Sequence, residues 1–281
     1  MTRVDPLGMA RRLYRSARNH REQRDDSRFR TRLGFDPQAP PLLLSPHWDD
    51  AVLDCWEILS APGELNVANV FAGVPAAGTL AAWDELTGAA DSAERARERL
   101  AEDARAMEVA GRRPVNLPLL DAQYRRGGGP PAPEAIDRAL SASCGSASRV
   151  YAPAAIGAHP DHVAVRRFAR LLVAAGFEVF LYADLPYCVM HGWPHWVDGR
   201  APEPLRDVDA FWRPFLAQLP ELGPLRSAEV IRLDDARAEA KLQAMRCYAT
   251  QLPALSYGGR RLLEDPEIHR YELRWTLRRG A

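Results

Sequence analysis

At 281 residues, with 47% hydrophobic and 26% charged residues, the chain has the make-up of a soluble globule large enough to bury a real core as one domain. Its 37 basic and 37 acidic side chains cancel, so no net field steers it toward nucleic acid or a membrane surface. A run of about 18 apolar residues, the mark of a membrane span, is missing.

The first 34 residues read as an arginine-rich extension, ahead of a domain over 35–281. They lack the apolar centre of a secretory signal and are expected to be solvated helix or disorder, with a basic arm for an anionic partner as the alternative. Residues 41–45 give the first buried strand, built on Leu42-Leu43-Leu44, and it runs into His47-Trp48-Asp49-Asp50. An apolar stretch of helical length follows at 51–59, then a second strand at 65–72 and a small-residue loop at 73–88. Residues 93–110 carry the alanines and alternating charges of an exposed helix, with Asp91 or Ser92 as N-cap and Gly111 as its stop.

A third strand at 115–120 leads into Asp121-Ala122-Gln123-Tyr124-Arg125, and 127–131 is loop. A helix at 132–141 and a strand at 149–155 precede the second cluster, His159-Pro160-Asp161-His162, which opens a helix at 161–176. A strand at 178–183 follows. The pattern breaks over 186–227, a Pro- and Trp-rich segment holding Trp193, His195, Trp196 and Trp212, read as a lid or an inserted subdomain. A strand at 228–233, a helix at 236–250 capped by Asp234 or Asp235, and an alternating edge strand at 268–277 complete the chain.

Strands alternating with helices predict an α/β fold, a doubly wound (Rossmann-like), mostly parallel sheet with helices on both faces. Such sheets bind ligands at the carboxyl ends of their strands, where both histidine clusters fall. Neutral imidazoles and a carboxylate are the ligands of a catalytic zinc that keeps one position open, and a further carboxylate and imidazole supply base and acid. His47 and Asp50, three apart, suit one metal ion with Asp49 at its open side. Of His159 and His162, one suits the metal and the other the substrate. The expectation is a metal hydrolase rather than a pair of polar turns.

The two clusters resemble the H-x-D-D-x-x-L and H-P-D-H signatures of the PIG-L/LmbE-like family of zinc-dependent N-deacetylases and amidases, over about residues 40–255. The resemblance implies one zinc per chain on His47, Asp50 and His162, Asp49 as the general base, His159 stabilising the oxyanion and Asp161 orienting His159. It implies loss of an N-acetyl or other N-acyl group from an amino-sugar glycoconjugate or specialised metabolite. An amidase acting on a larger conjugate and a non-catalytic sugar-binding member are the alternatives. Trp48 and Ala51 replace the Pro and Glu of many members. Gly157 stands where some place a tyrosine, leaving the oxyanion to zinc and His159 or to a tyrosine from elsewhere.

Further segments resemble substrate-side features of that family: Asp121, Tyr124 and Arg125; Asp184 and Tyr187; and Lys241, Tyr248 and Gln251, which at offsets of seven and three share one helical face. Lys241 is the only lysine in the chain, a chance survivor of an arginine-biased composition or a site group. Asp121 and Arg125 read equally as a structural ion pair, and Trp193 and Trp196 as a sugar platform or as core. Cys188 and His191 read as an incidental pair, His20 and His269 as surface residues. Cys55, Cys144, Cys188 and Cys247 lack the spacing of a zinc finger or disulfide framework and read as reduced thiols of a cytoplasmic protein. The expected partner is a small-molecule substrate, with no nucleic acid.

Overall fold

Three consecutive leucines, Leu42, Leu43 and Leu44, are wholly buried, as a strand covered on both faces requires. The computed structural model that holds them describes residues 28–125, 129–190, 192–200, 207–217, 228–255 and 264–277. The chain separates into two units, Met1–Thr31 and Arg32–Ala281. Only residues 28–31 of the first are described, and everything below concerns the second.

A short β1 (Gly34–Phe35) pairs with β5 (Ser146–Ala147) apart from the main sheet. That sheet has seven strands in the order β4-β3-β2-β6-β7-β9-β8. β2 (Leu42–Ser45), β3 (Asn66–Asn69), β4 (Val115–Asn116), β6 (Arg149–Pro153) and β7 (Glu178–Tyr182) run parallel. β8 (Glu229–Arg232) and β9 (Tyr271–Leu277) are antiparallel additions. From β2 the chain moves outward to β3 and β4, then returns to lay β6 on the other side of β2. That reversal opens a crevice at the carboxyl ends of β2 and β6, the place where open α/β sheets take ligands.

Helices flank the sheet in two groups. In chain order they are α1 (Asp50–Asp54), α2 (Trp56–Leu59), α3 (Ala82–Leu86), α4 (Ser92–Val109), α5 (Pro133–Ser141), α6 (Pro160–Ala174), α7 (His195–Asp198), α8 (Val208–Ala217), α9 (Asp235–Met245) and α10 (Leu252–Leu255). α9 packs on α4, α1 and α2, whereas α5 packs on α6, which lies against β6 and β7. Among the described residues no helix is long and apolar enough to cross a membrane. The four cysteines are free.

Several expected elements change shape, each for a physical reason. The helix expected over 51–59 breaks at Cys55 because the Glu272 carboxylate accepts the Trp56 N–H (2.7 Å) and the Glu57 N–H (3.1 Å), starting a second helix. The loop at 73–88 contains α3, anchored by buried Asp84 under the Tyr124 hydroxyl (2.8 Å) and the Arg99 guanidinium (2.9 Å). α4 is not an exposed helix: it buries Arg99, Glu102 and Asp103, each paired across to another element. The Asp91 carboxylate caps it through the Ala93 and Glu94 N–H groups. β9 is an interior strand between β7 and β8, so β8 forms the edge.

Candidate active site

β2 delivers the chain to the crevice and stops at Pro46. The Ser45 hydroxyl donates to the His47 carbonyl (2.6 Å) and accepts the Ala51 N–H (2.9 Å), while the His47 N–H donates to Asp50 Oδ2 (2.7 Å). These bonds fold His47 and Asp50 toward each other. Asp49 takes the N-cap position of α1 but makes no capping bond with its side chain, so the helix does not use that carboxylate.

After β6 the chain turns through Ala155 (φ 57°), Gly157 (φ 90°) and Ala158 (φ 58°). Left-handed alanines are strained by about 1–3 kcal/mol each, and surrounding bonds hold them: the Ala154 N–H donates to the Tyr182 carbonyl (2.7 Å) and the Ile156 N–H to Asp184 Oδ2 (2.9 Å). His159 caps α6, its Nδ1 accepting the Asp161 N–H (3.3 Å) ahead of Pro160. An imidazole that accepts at Nδ1 carries its proton at Nε2, which leaves His159 with a hydrogen-bond donor.

The two turns converge. Asp50 Oδ2 lies 3.3 Å from His47 Nδ1 and 3.4 Å from His162 Nε2. The far nitrogen of each imidazole meets a fully buried carboxylate: His47 Nε2 is 3.2 Å from Asp161 Oδ2, and His162 Nδ1 is 2.6 Å from Asp184 Oδ1. His159 completes a triangle, its ring centroid 4.9 Å from His47 and 5.3 Å from His162. Nitrogen and oxygen ligands at about 2.0–2.2 Å from a tetrahedral zinc stand about 3.4 Å from one another. The Asp50 separations from His47 and His162 are of that size. The donor sets His47, His159 and His162, and His47, Asp121 and Asp161, each lie close enough together to share an ion, and the carboxylates behind the imidazoles are of the kind that partner metal-bound histidines.

Charge tells the same story. Burial opposes charge on His47 and His162, yet the carboxylates around them raise both imidazoles above the usual range: Asp121, Asp161 and Asp50 at His47, Asp50 and Asp184 at His162. Asp50 is held well below the usual carboxylate range by those imidazoles despite its burial. A site that draws protons onto its histidines this strongly suits a divalent cation in their place. Burial and the Asp50 charge push Asp49 up to about 6, close to where a base at neutral pH works. Burial and the two neighbouring imidazoles push His159 down to about 4, so it is neutral.

Not every expected residue meets the site in its expected role. The Asp161 carboxylate contacts His47, the Arg125 guanidinium (2.6 Å) and the Ala122 N–H (2.8 Å), and reaches His159 only through its backbone. Arg125 thus pairs with Asp161 rather than Asp121 and lies over the Phe71 ring. Asp121 caps the turn Ala122–Tyr124 through the Gln123 N–H (3.0 Å), with Oδ2 at 3.8 Å from His47 Nε2. Asp184 is buried behind His162, not open to a sugar. Tyr187 does reach the site, its ring 6.1 Å from His159 and 5.7 Å from His162.

The lysine face lies in the core. Lys241 is wholly buried with its ammonium 2.7 Å from Glu272. Helix α9 ends at Met245, so Tyr248 and Gln251 leave the face that spacing gave them, and both are buried. Trp193 is also interior: its indole donates to the Ile268 carbonyl (2.9 Å) and its ring stacks near Trp212 (6.0 Å), which in turn meets Trp196 (6.0 Å). That is packing within 186–227, of which 191, 201–206 and 218–227 lie outside the described residues. His269 is buried rather than at the surface, and His20 and His191 lie outside the described residues.

No family model and no curated protein matches the sequence. Solved structures do. One, a triple mutant of a deacetylase (Orf2*T) of the teicoplanin biosynthetic pathway, is 26% identical with a TM-score of 0.64, over 85% of this chain and 97% of that one. Another, the A40926 pseudoaglycone deacetylase Dbv21, is 27% identical with a TM-score of 0.62, over 87% and 99%. Both are LmbE/PIG-L-type deacetylases. The chain is similar to the PIG-L/LmbE-like N-deacetylases. A zinc-inhibited form of teicoplanin deacetylase Orf2 (23% identical, TM-score 0.62, 85% and 97%) shares the fold.

In this enzyme, whose structural neighbours are hydrolases acting on carbon–nitrogen bonds, sequence reading misses the residues behind the turn that carries Asp49 and Asp50. Asn69 donates there to both Asp103 and Asn116, and Trp48, whose indole reaches the exposed Asn116, is buried with Asn69 and Asp103. One signal was available. Ala96, Arg99, Asp103 and Ala106 fall on one face of α4, and charged residues in an otherwise small-residue inward stripe mark buried polar contacts.

Proposed function

We propose that the protein is a zinc-dependent hydrolase that removes an N-acyl group, acetyl foremost, from an amino sugar carried on a glycoconjugate or specialised metabolite. The catalytic domain is residues 35–281, working in the cytoplasm. His47, Asp50 and His162 would hold one zinc per chain. When bound, the metal supplies Lewis acidity that polarises the amide carbonyl and makes a water nucleophile accessible near about pH 7.

The chain's own groups do the rest. Asp49 takes the proton of the attacking water and returns it to the departing amine, a task matched to a carboxyl pushed up to about 6. The neutral His159 donates its Nε2–H to the oxygen that gains charge. Asp161 and Asp184 keep the two imidazoles turned toward Asp50. The products are a carboxylate and a free amine.

The observation that carries this reading is the placing of Asp50 Oδ2 between His47 Nδ1 and His162 Nε2 at 3.3 and 3.4 Å. The likeness to deacetylases of the teicoplanin pathway and of A40926 pseudoaglycone supports an amino-sugar conjugate as substrate. The test is metal analysis of the purified protein, then incubation with N-acetylated amino-sugar conjugates, glycopeptide pseudoaglycones included, read by loss of one acetyl mass. Bound zinc and acetate release are expected, with Asp49→Asn keeping the metal and losing turnover. A folded protein that takes up no divalent metal, or a His162→Ala variant of full activity, overturns the mechanism.

A further inference from the structure

Behind the turn that carries Asp49 and Asp50, five residues close a ring of hydrogen bonds. Asn69 Nδ2 donates to Asp103 Oδ2 (2.8 Å) and to Asn116 Oδ1 (3.0 Å), and the Trp48 indole N–H donates to the same Asn116 oxygen (3.1 Å). The Tyr248 hydroxyl stands between Asp103 Oδ1 (2.9 Å) and the Trp48 carbonyl (3.1 Å). Trp48 is thus gripped by its backbone and by its ring, and both grips lead to Asp103.

The ring is one hydrogen short. Asn69 supplies two hydrogens, Trp48 one and Tyr248 one, which makes four for five bonds. With Asp103 ionised, Tyr248 turns its only hydrogen to the carboxylate and the Trp48 carbonyl is left unpaired. Trp48, Asn69, Asp103 and Tyr248 are buried, with Asn116 exposed at the rim, and an unsatisfied buried acceptor such as the Trp48 carbonyl is unfavourable by about 1–3 kcal/mol. A proton on Asp103 closes the count: Asp103 donates to Tyr248, and Tyr248 donates to Trp48.

We propose that Asp103 is a protonated carboxylic acid in the working enzyme and a positioning residue, which through Tyr248 fixes the Trp48 carbonyl and with it the Asp49–Asp50 turn. Its effect on turnover rests on Asp49 serving as the base, as proposed above; its proton does not.

The surroundings favour the neutral form. The charge facing Asp103 is Asp49, of the same sign. On α4, Arg99 is committed to Asp84 and Glu102 to the Thr250 N–H and hydroxyl; on α9, Lys241 is committed to Glu272. Burial, only partly opposed by the bonds from Tyr248 and Asn69, pushes the Asp103 carboxyl up to about 7.

Infrared difference spectra and pH profiles of the metal-loaded enzyme test the proposal. The wild type at pH about 6, below the folded value of Asp103, should show a protonated carboxyl stretch that is absent from Asp103→Asn and fades as pH rises. The asparagine offers an N–H where the acid offered an O–H. Its kcat should stay within about twofold of wild type, and the alkaline decline set by Asp103 should vanish. Asp103→Leu and Tyr248→Phe should each lower kcat about tenfold with little change in KM, because the turn loses its anchor. Absence of the carboxyl band overturns the proton, and full kcat in Tyr248→Phe overturns the positioning. If the wild type hydrolyses no amide, the proposed function falls, while the band still decides the state of Asp103.

Discussion

Tyr187 lies against Gly157 so closely that a β-carbon at residue 157 would sit 2.6 Å from the Tyr187 β-carbon. The glycine also has φ 90°, which L side chains rarely adopt. The absence of a side chain at 157 is what lets the Tyr187 ring stack on His159. Gly157→Ala is therefore expected to lose more than about 1 kcal/mol in chemical denaturation. Adding Tyr187→Gly, which removes that β-carbon, should relieve the clash but not the backbone strain. A Gly157→Ala protein as stable as wild type would deny the contact.

Asp184 accepts both the Ile156 N–H and the His162 Nδ1 contact. An amide has one acceptor oxygen for those two donors. Asp184→Asn should weaken metal binding about 10–100-fold, read by competition with a chelator. Unchanged affinity would make Asp184 a loop anchor alone.

Trp193 is expected to matter for folding rather than substrate. Its truncation to alanine removes a buried ring and an indole hydrogen bond, and should destabilise by about 3–5 kcal/mol. KM of the folded enzyme should not move. A raised KM at unchanged stability would return Trp193 to the substrate side.

How far the sequence speaks is clear from such residues. Leu42-Leu43-Leu44 and the apolar run before His159 place both clusters on strand ends, because consecutive apolar residues suit only a strand buried on both faces. The roles of Asp161 and Asp184 were not readable, since each partner lies far along the chain or on another element. Lys241 misled because its spacing to Tyr248 and Gln251 assumes a helix that ends at Met245. Asp103 was hidden by its neighbours, whose alternating charges look solvated until Asn69 and Tyr248 come across to meet them.

Lys241 and Glu272 make a buried pair, and Glu272 also holds the N–H groups of Trp56 and Glu57. Removing one partner leaves a buried charge uncompensated. Lys241→Met is expected to destabilise by about 3–5 kcal/mol, with Glu272→Gln in the same chain restoring part of the loss. Additive losses in the double variant would show that the two charges do not interact.

Asp103 gives stability a pH dependence with a definite sign. Its folded value of about 7 stands well above the usual carboxylate range, so the folded state holds the proton more tightly. The stabilisation is complete below the unfolded value and is lost as pH rises toward about 7, by on the order of a few kcal/mol. Denaturation curves of Asp103→Asn should lack that slope. An identical pH dependence in the variant and the wild type would place the titration elsewhere.

His47 and Asp161 stand 114 residues apart in the chain, and they meet because β2 and β6 lie side by side, Leu42 against Val150 and Leu43 against Tyr151. During synthesis, the first half of the proposed metal-binding set is made long before the second exists. A nascent chain can offer an ion His47 and Asp50 alone, too few donors to keep it. With the proposed ligands, metal capture would belong to the end of folding, and a bound ion would certify that the central strands have found each other.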